Sequence, residues 1–224
     1  MSEQFFIQDF KIYKNNPNTI RASVGWLYGL CARQLHYSYQ FGLTVKSQSD
    51  IDAMNYGIEK HKEIQEKWLA TNDNWIAEMG SISRILPSDN KFGLPDHLTC
   101  SLDLVNLKEK SVIEIKPMYD RKAYFQTLLQ KYLFKDFKFH CLEYLTDNLI
   151  PLKADYNMAR IYLIRVLTSL IELPPRFPNS NYNHTVCMSC PFREICYSDD
   201  LDSNTKESWQ LWTLKTKEIE QEVI

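Results

Sequence analysis

The sequence lacks any long apolar run, since no stretch approaches the roughly 18 consecutive apolar residues of a membrane-spanning helix. Residues 1–15 also lack the basic stretch followed by an apolar stretch that marks a secretory signal. No internal repeat or low-complexity linker divides the chain. These absences argue against a membrane protein, and we expect a cytoplasmic one.

A strong net charge is also missing, because 26 basic and 28 acidic residues leave a net charge of −2. This balance argues against a surface coated with basic residues for gripping nucleic acid. The charge is nevertheless uneven: residues 106–138 carry eight Lys or Arg against four Asp or Glu, and residues 199–224 carry three against seven. A local basic groove that contacts phosphate remains compatible with this composition.

The chain has enough apolar material for one core, with 44% hydrophobic residues among 224, and we expect a single domain over residues 1–224. Strand patterns at 75–86, 98–106 and 111–117 precede a helical pattern at 122–136 and a fourth strand at 138–145. Further helices are predicted at 23–41, with Ser23 as N-cap, at about 50–70, at about 154–171 and from about 204. This order predicts a mixed sheet flanked by helices, in the α/β (α+β mixed) class.

Two acidic residues and a lysine lie on consecutive predicted strands. Asp103 is late in one strand, and Glu114 and Lys116 share a face of the next, because side chains alternate along a strand. A hairpin about the turn at 108–110 would bring Asp103 beside Glu114. Adjacent carboxylates repel unless a hard divalent cation such as Mg²⁺ lies between them, and a neighbouring lysine can orient or activate an attacking water.

His61 could add a nitrogen ligand, which would favour Mn²⁺ more than oxygen ligands alone would. The plainer interpretation of the carboxylate and lysine group is a solvated polar face. Glu114 argues against that interpretation, since it lies between Ile113 and Ile115 in a run where an unpaired acid would be costly.

Six cysteines are present, and three of them form a C-x2-C-x5-C group: Cys187, Cys190 and Cys196. Grouped cysteines in a cytosolic chain indicate a metal site rather than disulfides. Cys31 on the first predicted helix is the best candidate for a fourth ligand, whereas Cys100 and Cys141 lie in predicted strands and are expected in the core. The spacing alone suits zinc and an iron–sulphur cluster equally.

These motifs resemble the RecB-like nucleases of the PD-(D/E)XK superfamily, and more narrowly the fourth CRISPR-associated protein family, the four-cysteine iron–sulphur exonucleases. The resemblance runs from about residue 23 to residue 197. It rests on LYGLCARQLHYSY around Cys31, His61 four residues after Gly57, Asp103 in TCSLDLV, the Glu114-Ile115-Lys116 triplet, and the cysteines at 187, 190 and 196.

Two positions depart from the family pattern. Cys100 stands three residues before Asp103, where the family often has glycine. The family's glutamine–tyrosine motif on the helix after Glu-x-Lys is imperfect, since Gln126 is followed by Gln130 four residues later and by Tyr132 six residues later.

The resemblance implies a restriction-endonuclease-like mixed sheet flanked by helices, with a nuclease core at about 55–172. It implies that segments 23–41 and 184–198 are joined by a [4Fe–4S] cluster held by Cys31, Cys187, Cys190 and Cys196. It also implies that Mg²⁺ or Mn²⁺ is bound by His61, Asp103, Glu114 and the carbonyl of Ile115. Lys116 would then be catalytic, and Gln126 and Lys122 are candidate DNA contacts.

The implied activity is metal-dependent exonuclease cleavage of phosphodiester bonds at single-stranded DNA ends. The implied context is prespacer processing in CRISPR spacer acquisition, with integrase proteins as partners, although a viral or repair relative outside CRISPR would carry the same motifs. The alternative from another class is a non-catalytic iron–sulphur or zinc module that binds DNA or a protein partner. The intact Asp103, Glu114 and Lys116 argue against that alternative, and the sequence indicates no oligomeric state.

Overall fold

The computed structural model describes residues 5–9, 18–41, 43–175, 190, 192, 196 and 206–224. Its first half comprises β1 (Phe5–Asp9), β2 (Thr19–Arg21), α1 (Val24–Leu30), α2 (Ala32–Phe41), β3 (Leu43–Ser47), α3 (Gln48–Thr71) and β4 (Trp75–Arg84). Its second half comprises β5 (His97–Asn106), β6 (Ser111–Lys116), α4 (Arg121–Leu133), β7 (Lys138–Glu143), β8 (Asn148–Leu152), α5 (Tyr156–Ile171) and α6 (Lys206–Glu222). No helix in these described ranges is both long and apolar enough to cross a bilayer.

The predicted strands and helices lie close to observed elements, but the structure differs from the prediction at several points. The first predicted helix is not continuous, because the backbone is extended at Cys31 (φ −160°, ψ 108°) and separates α1 from α2. Ser23 occupies the predicted N-cap position, but its backbone is helical (φ −60°, ψ −21°) and its side chain makes no capping hydrogen bond. The sequence pattern did not reveal strands β3 and β8; β3 pairs antiparallel with β1, and β8 pairs antiparallel with β7.

Within the described residues, six strands form one mixed sheet in the order β2-β5-β6-β7-β8, with β4 also paired to β5. Strand β5 is antiparallel to β4 and β6, whereas β6 and β7 are parallel, and helix α4 supplies the crossover connection that parallel pairing requires. Strand β2 pairs with residues 97–99 of β5, and β6 pairs with residues 104–106. Residues 100–103 of β5 therefore lie between these two pairings, at an opening in the sheet.

Helices cover both faces of this sheet. On one face, Ile64 and Trp68 of α3 pack against a buried cluster of Leu104, Ile113, Ile115 and Leu142. On the other face, Ala123 of α4 packs against a second cluster that includes Val112 and Cys141. The largest core lies among α1, α2, α4, α5 and α6. The predicted mixed α/β class, with a sheet flanked by helices, is confirmed.

Strands β4 and β5 both deviate from regular alternation at one point. In β5, Leu102 and Val105 pack in the cluster under α4, whereas Leu104 packs in the cluster under α3. In β4, the pairing skips Glu78, which lies opposite Asp103 in the register and has a positive φ of 54°. Residues with a Cβ adopt this conformation rarely, so the irregularity is a local feature held by its surroundings.

The close approach of α1 to α4 depends on two glycines of α1. A Cβ atom at Gly29 would overlap the ring of Phe125, and one at Gly25 would lie 2.6 Å from the Phe125 carbonyl oxygen. Tyr162 of α5 also donates a hydrogen bond to the Gly25 carbonyl at 2.6 Å. Helix α1 is thereby fixed against α4 and α5, which positions the residues on either side of these glycines.

Gly29→Ala and Gly25→Ala are expected to destabilise the fold by about 1–3 kcal/mol each, because the added methyl group must displace Phe125 or its backbone. Gly57→Ala on α3 is the matched control, since its Cβ would meet nothing within 4 Å. Alanine there should stabilise α3 by about 0.5–1 kcal/mol. Urea denaturation midpoints measure all three, and equal effects at Gly29 and Gly57 would contradict the packing argument.

Candidate active site

Asp103 and Glu114 lie where strands β5 and β6 separate. Backbone pairing along this hairpin ends at Leu104 and Ile113, and the next pair in the register would be Asp103 with Glu114. Instead, Oδ2 of Asp103 accepts a hydrogen bond from the backbone N–H of Ile115 at 2.7 Å. The predicted hairpin is therefore confirmed, and it brings the two acids to neighbouring positions at its open end.

Glu114 is completely buried. From α4, Nε2 of Gln130 donates to Oε1 at 2.7 Å and Nε2 of Gln126 donates to Oε2 at 3.1 Å. Nζ of Lys116 lies 3.5 Å from Oε2. Both carboxylate oxygens thus face hydrogen-bond donors, which offsets part of the cost of removing a charge from water.

The charge state of the two acids reflects their burial. Burial, and then the negative charge of Asp103, raise the pKa of Glu114 to about 7, although Lys116 and Gln130 act in the opposite direction. Burial also raises the pKa of Asp103, with Lys116 and the Ile115 N–H opposing it. Without a further cation, the pair therefore holds less than its full negative charge near neutral pH.

The pKa values of Lys116 and His61 are shifted in opposite directions. Burial lowers the pKa of Lys116, but the charges of Glu114 and Asp103 outweigh burial and leave that pKa above its usual value. Burial, and then Lys116, lower the pKa of His61, so its ring is neutral at pH 7. Nδ1 of His61 lies 3.7 Å from Oδ2 of Asp103, which is longer than a hydrogen bond. The lysine is protonated, and the neutral imidazole retains a lone pair for an ion or a hydrogen bond.

Two residues at this site were not found from the sequence. Gln65, one turn after His61 on α3, donates to Oε1 of Glu78 at 2.8 Å and to the Asp103 carbonyl at 3.0 Å. Ser101 donates to the other carboxylate oxygen of Glu78 at 3.1 Å. Gln65 has a weak signal in the sequence, its spacing of four residues from His61. Glu78 has none, because it resembles any polar residue of an alternating strand.

The candidate cysteine site is described in part. Cys31 occupies the extended break between α1 and α2, and Cys190 and Cys196 are described, whereas Cys187 lies outside the described residues. Cys141 is completely buried and Cys100 is partly buried. Burial is the main cause that raises the pKa of Cys141 to about 11 and that of Cys100 to about 12. These two are protonated thiols in strands, in keeping with their predicted role as core residues.

Arg33 of α2 links the N-terminal helices to the C-terminal segment. Its Nε donates to the Pro174 carbonyl at 2.9 Å, and its Nη1 donates to the Cys196 carbonyl at 3.3 Å and lies 3.4 Å from the Cys196 sulphur. The ring of Phe192 packs against those of Tyr37 and Phe41. The regions that carry Cys31 and Cys196 are thus in contact, although their sequence positions are far apart.

As the side chains stand, no group of three or more His, Cys, Asp or Glu within the described ranges is arranged to hold a metal ion. His61, Asp103 and Glu114 nevertheless cluster around the opening between β5 and β6. The charge of Glu114 affects the pKa of His61, and the charge of Asp103 affects the pKa of Glu114. Binding of an ion by this set would therefore require side-chain adjustment.

The comparisons with known proteins concern the fold. No family model and no curated protein matches the sequence. A solved structure described as the crystal structure of SSO0001 matches with a TM-score of 0.51 and 17% sequence identity, over 80% of this chain and 85% of that chain. At this level of identity, the match shows a shared fold.

Glu114→Gln is expected to change the pH dependence of stability in protein kept free of divalent ions. The pKa of Glu114 is about 7 when folded against a model value of 4.5, so the folded state binds more protons than the unfolded state between these values. The free energy of unfolding should therefore fall as the pH rises through this window, by on the order of 3 kcal/mol. The glutamine variant should lose most of this slope and be more stable than wild type at about pH 8.

Urea denaturation at about pH 5, 6 and 8 tests this expectation. Glu66→Gln, on the exposed part of α3, serves as a control that should keep the wild-type slope. A slope that persists in Glu114→Gln would mean that another group carries the titration.

Proposed function

We propose that this chain is a metal-dependent DNA exonuclease that hydrolyses phosphodiester bonds at single-stranded DNA ends. The observation that carries the proposal is the completely buried Glu114 beside Asp103, at the opening between β5 and β6, with Lys116 3.5 Å from Glu114. A fold supports many activities, so the proposal depends on this site and its sequence motifs rather than on the fold.

The donor set fits a hard divalent cation with one nitrogen ligand. Burial raises the pKa of both carboxyls, and a bound divalent cation would favour their ionised form and take their oxygens as ligands. His61 favours the neutral form, which is the form that binds a metal. We assign Mg²⁺ or Mn²⁺ to His61, Asp103, Glu114 and the carbonyl of Ile115. Such an ion would polarise the phosphodiester and promote attack by water at neutral pH.

The residues around the proposed ion then have distinct roles. Asp103 and Glu114 hold the ion, and Gln126 and Gln130 fix the orientation of Glu114 through their hydrogen bonds. Lys116 is protonated, so it is suited to orienting water and stabilising the charge that develops on the phosphate rather than to accepting a proton. Gln126 therefore has a role in holding Glu114, in addition to any contact that it makes with DNA.

The proposal includes a [4Fe–4S] cluster on Cys31, Cys187, Cys190 and Cys196. Its support in the described residues comes from Arg33, which is 4% exposed and whose Nη2 has no hydrogen-bond partner among them. A buried cation is costly unless negative charge lies nearby. Thiolate ligands of a cluster beside Cys196 would supply that charge, because Nη1 already lies 3.4 Å from its sulphur.

The proposed context is prespacer processing in CRISPR spacer acquisition, with integrase proteins as partners. This context depends on the sequence motifs. The alternative context is a viral or repair protein outside CRISPR, which would carry the same motifs.

Asp103→Asn is expected to abolish cleavage of end-labelled single-stranded DNA in Mn²⁺ or Mg²⁺. Asparagine keeps an acceptor for the Ile115 N–H, so the loss reports the missing charge rather than a distorted hairpin. Removing Lewis-acid assistance should cost several kcal/mol, or roughly 10³-fold or more in rate. Lys116→Met should lower turnover by roughly 10²–10³-fold while Mn²⁺ affinity persists.

Calorimetric titration with Mn²⁺ and single-turnover cleavage assays separate these two effects. Lys135→Met is the control for lost positive charge, because Lys135 is an exposed residue just beyond α4. Wild-type cleavage by Asp103→Asn would overturn the metal site. Loss of Mn²⁺ binding in Lys116→Met would reassign the lysine to holding the carboxylates.

Single Cys→Ser changes at Cys31, Cys187, Cys190 or Cys196 are expected to reduce bound iron and lower stability, because a cluster that lacks one ligand is easily lost. Cys100→Ser and Cys141→Ser are the controls and should keep their iron, at a cost of about 1–3 kcal/mol for burying a hydroxyl group. Iron, sulphide and zinc contents of protein purified without oxygen measure the outcome. One zinc per chain without iron would refute the cluster.

A further inference from the structure

A small pocket lies beside Lys116, on the side of α4. Its lining residues are Lys116, Asp120, Lys122, Ala123 and Gln126 and, from helix α1, Trp26. The pocket volume of about 210 Å³ is below the roughly 300–1,000 Å³ of pockets for drug-sized ligands. It therefore suits a part of a larger ligand rather than a complete drug-sized molecule.

Trp26 and Lys122 give this pocket two complementary recognition groups. Trp26 is half-buried and packs against the main core, so its ring is held in place while it lines the pocket. Nζ of Lys122 lies 5.5 Å from the centre of the Trp26 ring, within the range of a cation–π contact. The ammonium group lies over the ring face, so a base would stack there in place of the lysine, which would turn to the phosphate of the same nucleotide.

We propose that this pocket holds the nucleotide next to the scissile phosphate of single-stranded DNA, with Trp26 stacked on its base and Lys122 on its phosphate. The proposal rests on the proposed nuclease function and names a positioning site for its substrate. Unpaired bases offer free faces to an aromatic side chain, whereas the bases of a duplex are already stacked on one another. The pocket therefore selects single strands over duplexes.

The surrounding packing fixes this arrangement. Gly25 and Gly29 let α1 approach α4 closely, and Trp26 lies between them in the sequence, on the element that faces Lys122. Asp120, the acid among the lining residues, accepts a hydrogen bond from the Ala123 N–H as the N-cap of α4. The Asp120 carboxylate offsets the partial positive charge at this end of the 13-residue helix, so Lys122 is the phosphate contact of this pocket.

The first experiment measures binding of a fluorescent single-stranded oligonucleotide by anisotropy, with Ca²⁺ in place of Mg²⁺ to suppress cleavage. Trp26→Ala should weaken binding roughly 5-fold to 150-fold, as expected for one lost stack, and Trp26→Phe should restore most of it. Lys122→Ala should reduce the slope of log K against log salt by about 0.7, the share of one phosphate contact. Lys135→Ala, the exposed control, should change neither quantity.

The second experiment locates the stacked base. Oligonucleotides that carry one abasic residue at successive positions from the end should lose affinity for the wild type at one position only. In Trp26→Ala the loss at that position should disappear, because the stacking partner is already missing. Thermal denaturation of both Trp26 variants confirms that they are folded.

The outcomes separate this proposal from the proposed function. If wild type cleaves DNA and Trp26→Ala binds and cleaves equally well, the pocket assignment is wrong and the nuclease stands. If binding depends on Trp26 and on one base while no divalent metal supports cleavage, the stacking site stands and the nuclease is wrong. If the wild type binds no single-stranded DNA, both are overturned.

Discussion

The geometry of this site depends on the hydrogen bond from the Ile115 N–H to the Asp103 carboxylate, which lies where the pairing of β5 and β6 ends. Beyond it, β5 and β6 no longer pair, and buried backbone groups that lose a strand partner must find another. Helix side chains supply the replacements. Gln130 reaches the Ser101 carbonyl at 3.4 Å, and Gln65 reaches the Asp103 carbonyl at 3.0 Å. Helices α3 and α4 cover opposite faces of the sheet, and side chains from both thereby make hydrogen bonds at the opening that holds the two acids.

The same opening creates an electrostatic cost, because two acids lie side by side in the protein interior. Glu114 is buried beside Asp103, and burial is the largest cause of the raised pKa of each. Within the protein, Lys116 and two glutamines offset part of this cost, and a proton on Glu114 offsets more. Stability and the proposed metal affinity therefore act against each other here, as in other sites where buried charge is retained for function.

Helix α1 connects the two candidate sites across the fold. Trp26 in its middle lines the pocket beside Lys116, and Cys31 follows its last residue at the break before α2. Arg33, two residues further, contacts the segment that carries Cys196. Ligation of Cys31 in the proposed cluster would thus fix the end of the helix that places Trp26, and this would connect the cluster to the proposed substrate-binding pocket without direct contact.

The sequence by itself determined the features that depend on local period and spacing. It predicted strands β4 to β7, the hairpin at 108–110, and Glu114 and Lys116 on one strand face, because alternation and turn composition are properties of neighbouring residues. Only the tertiary structure decided what depends on contacts between distant segments. The break at Cys31, Glu78 opposite Asp103, the glutamines that fill the opened sheet, and Trp26 beside Lys122 all arise from packing of elements that no local pattern relates.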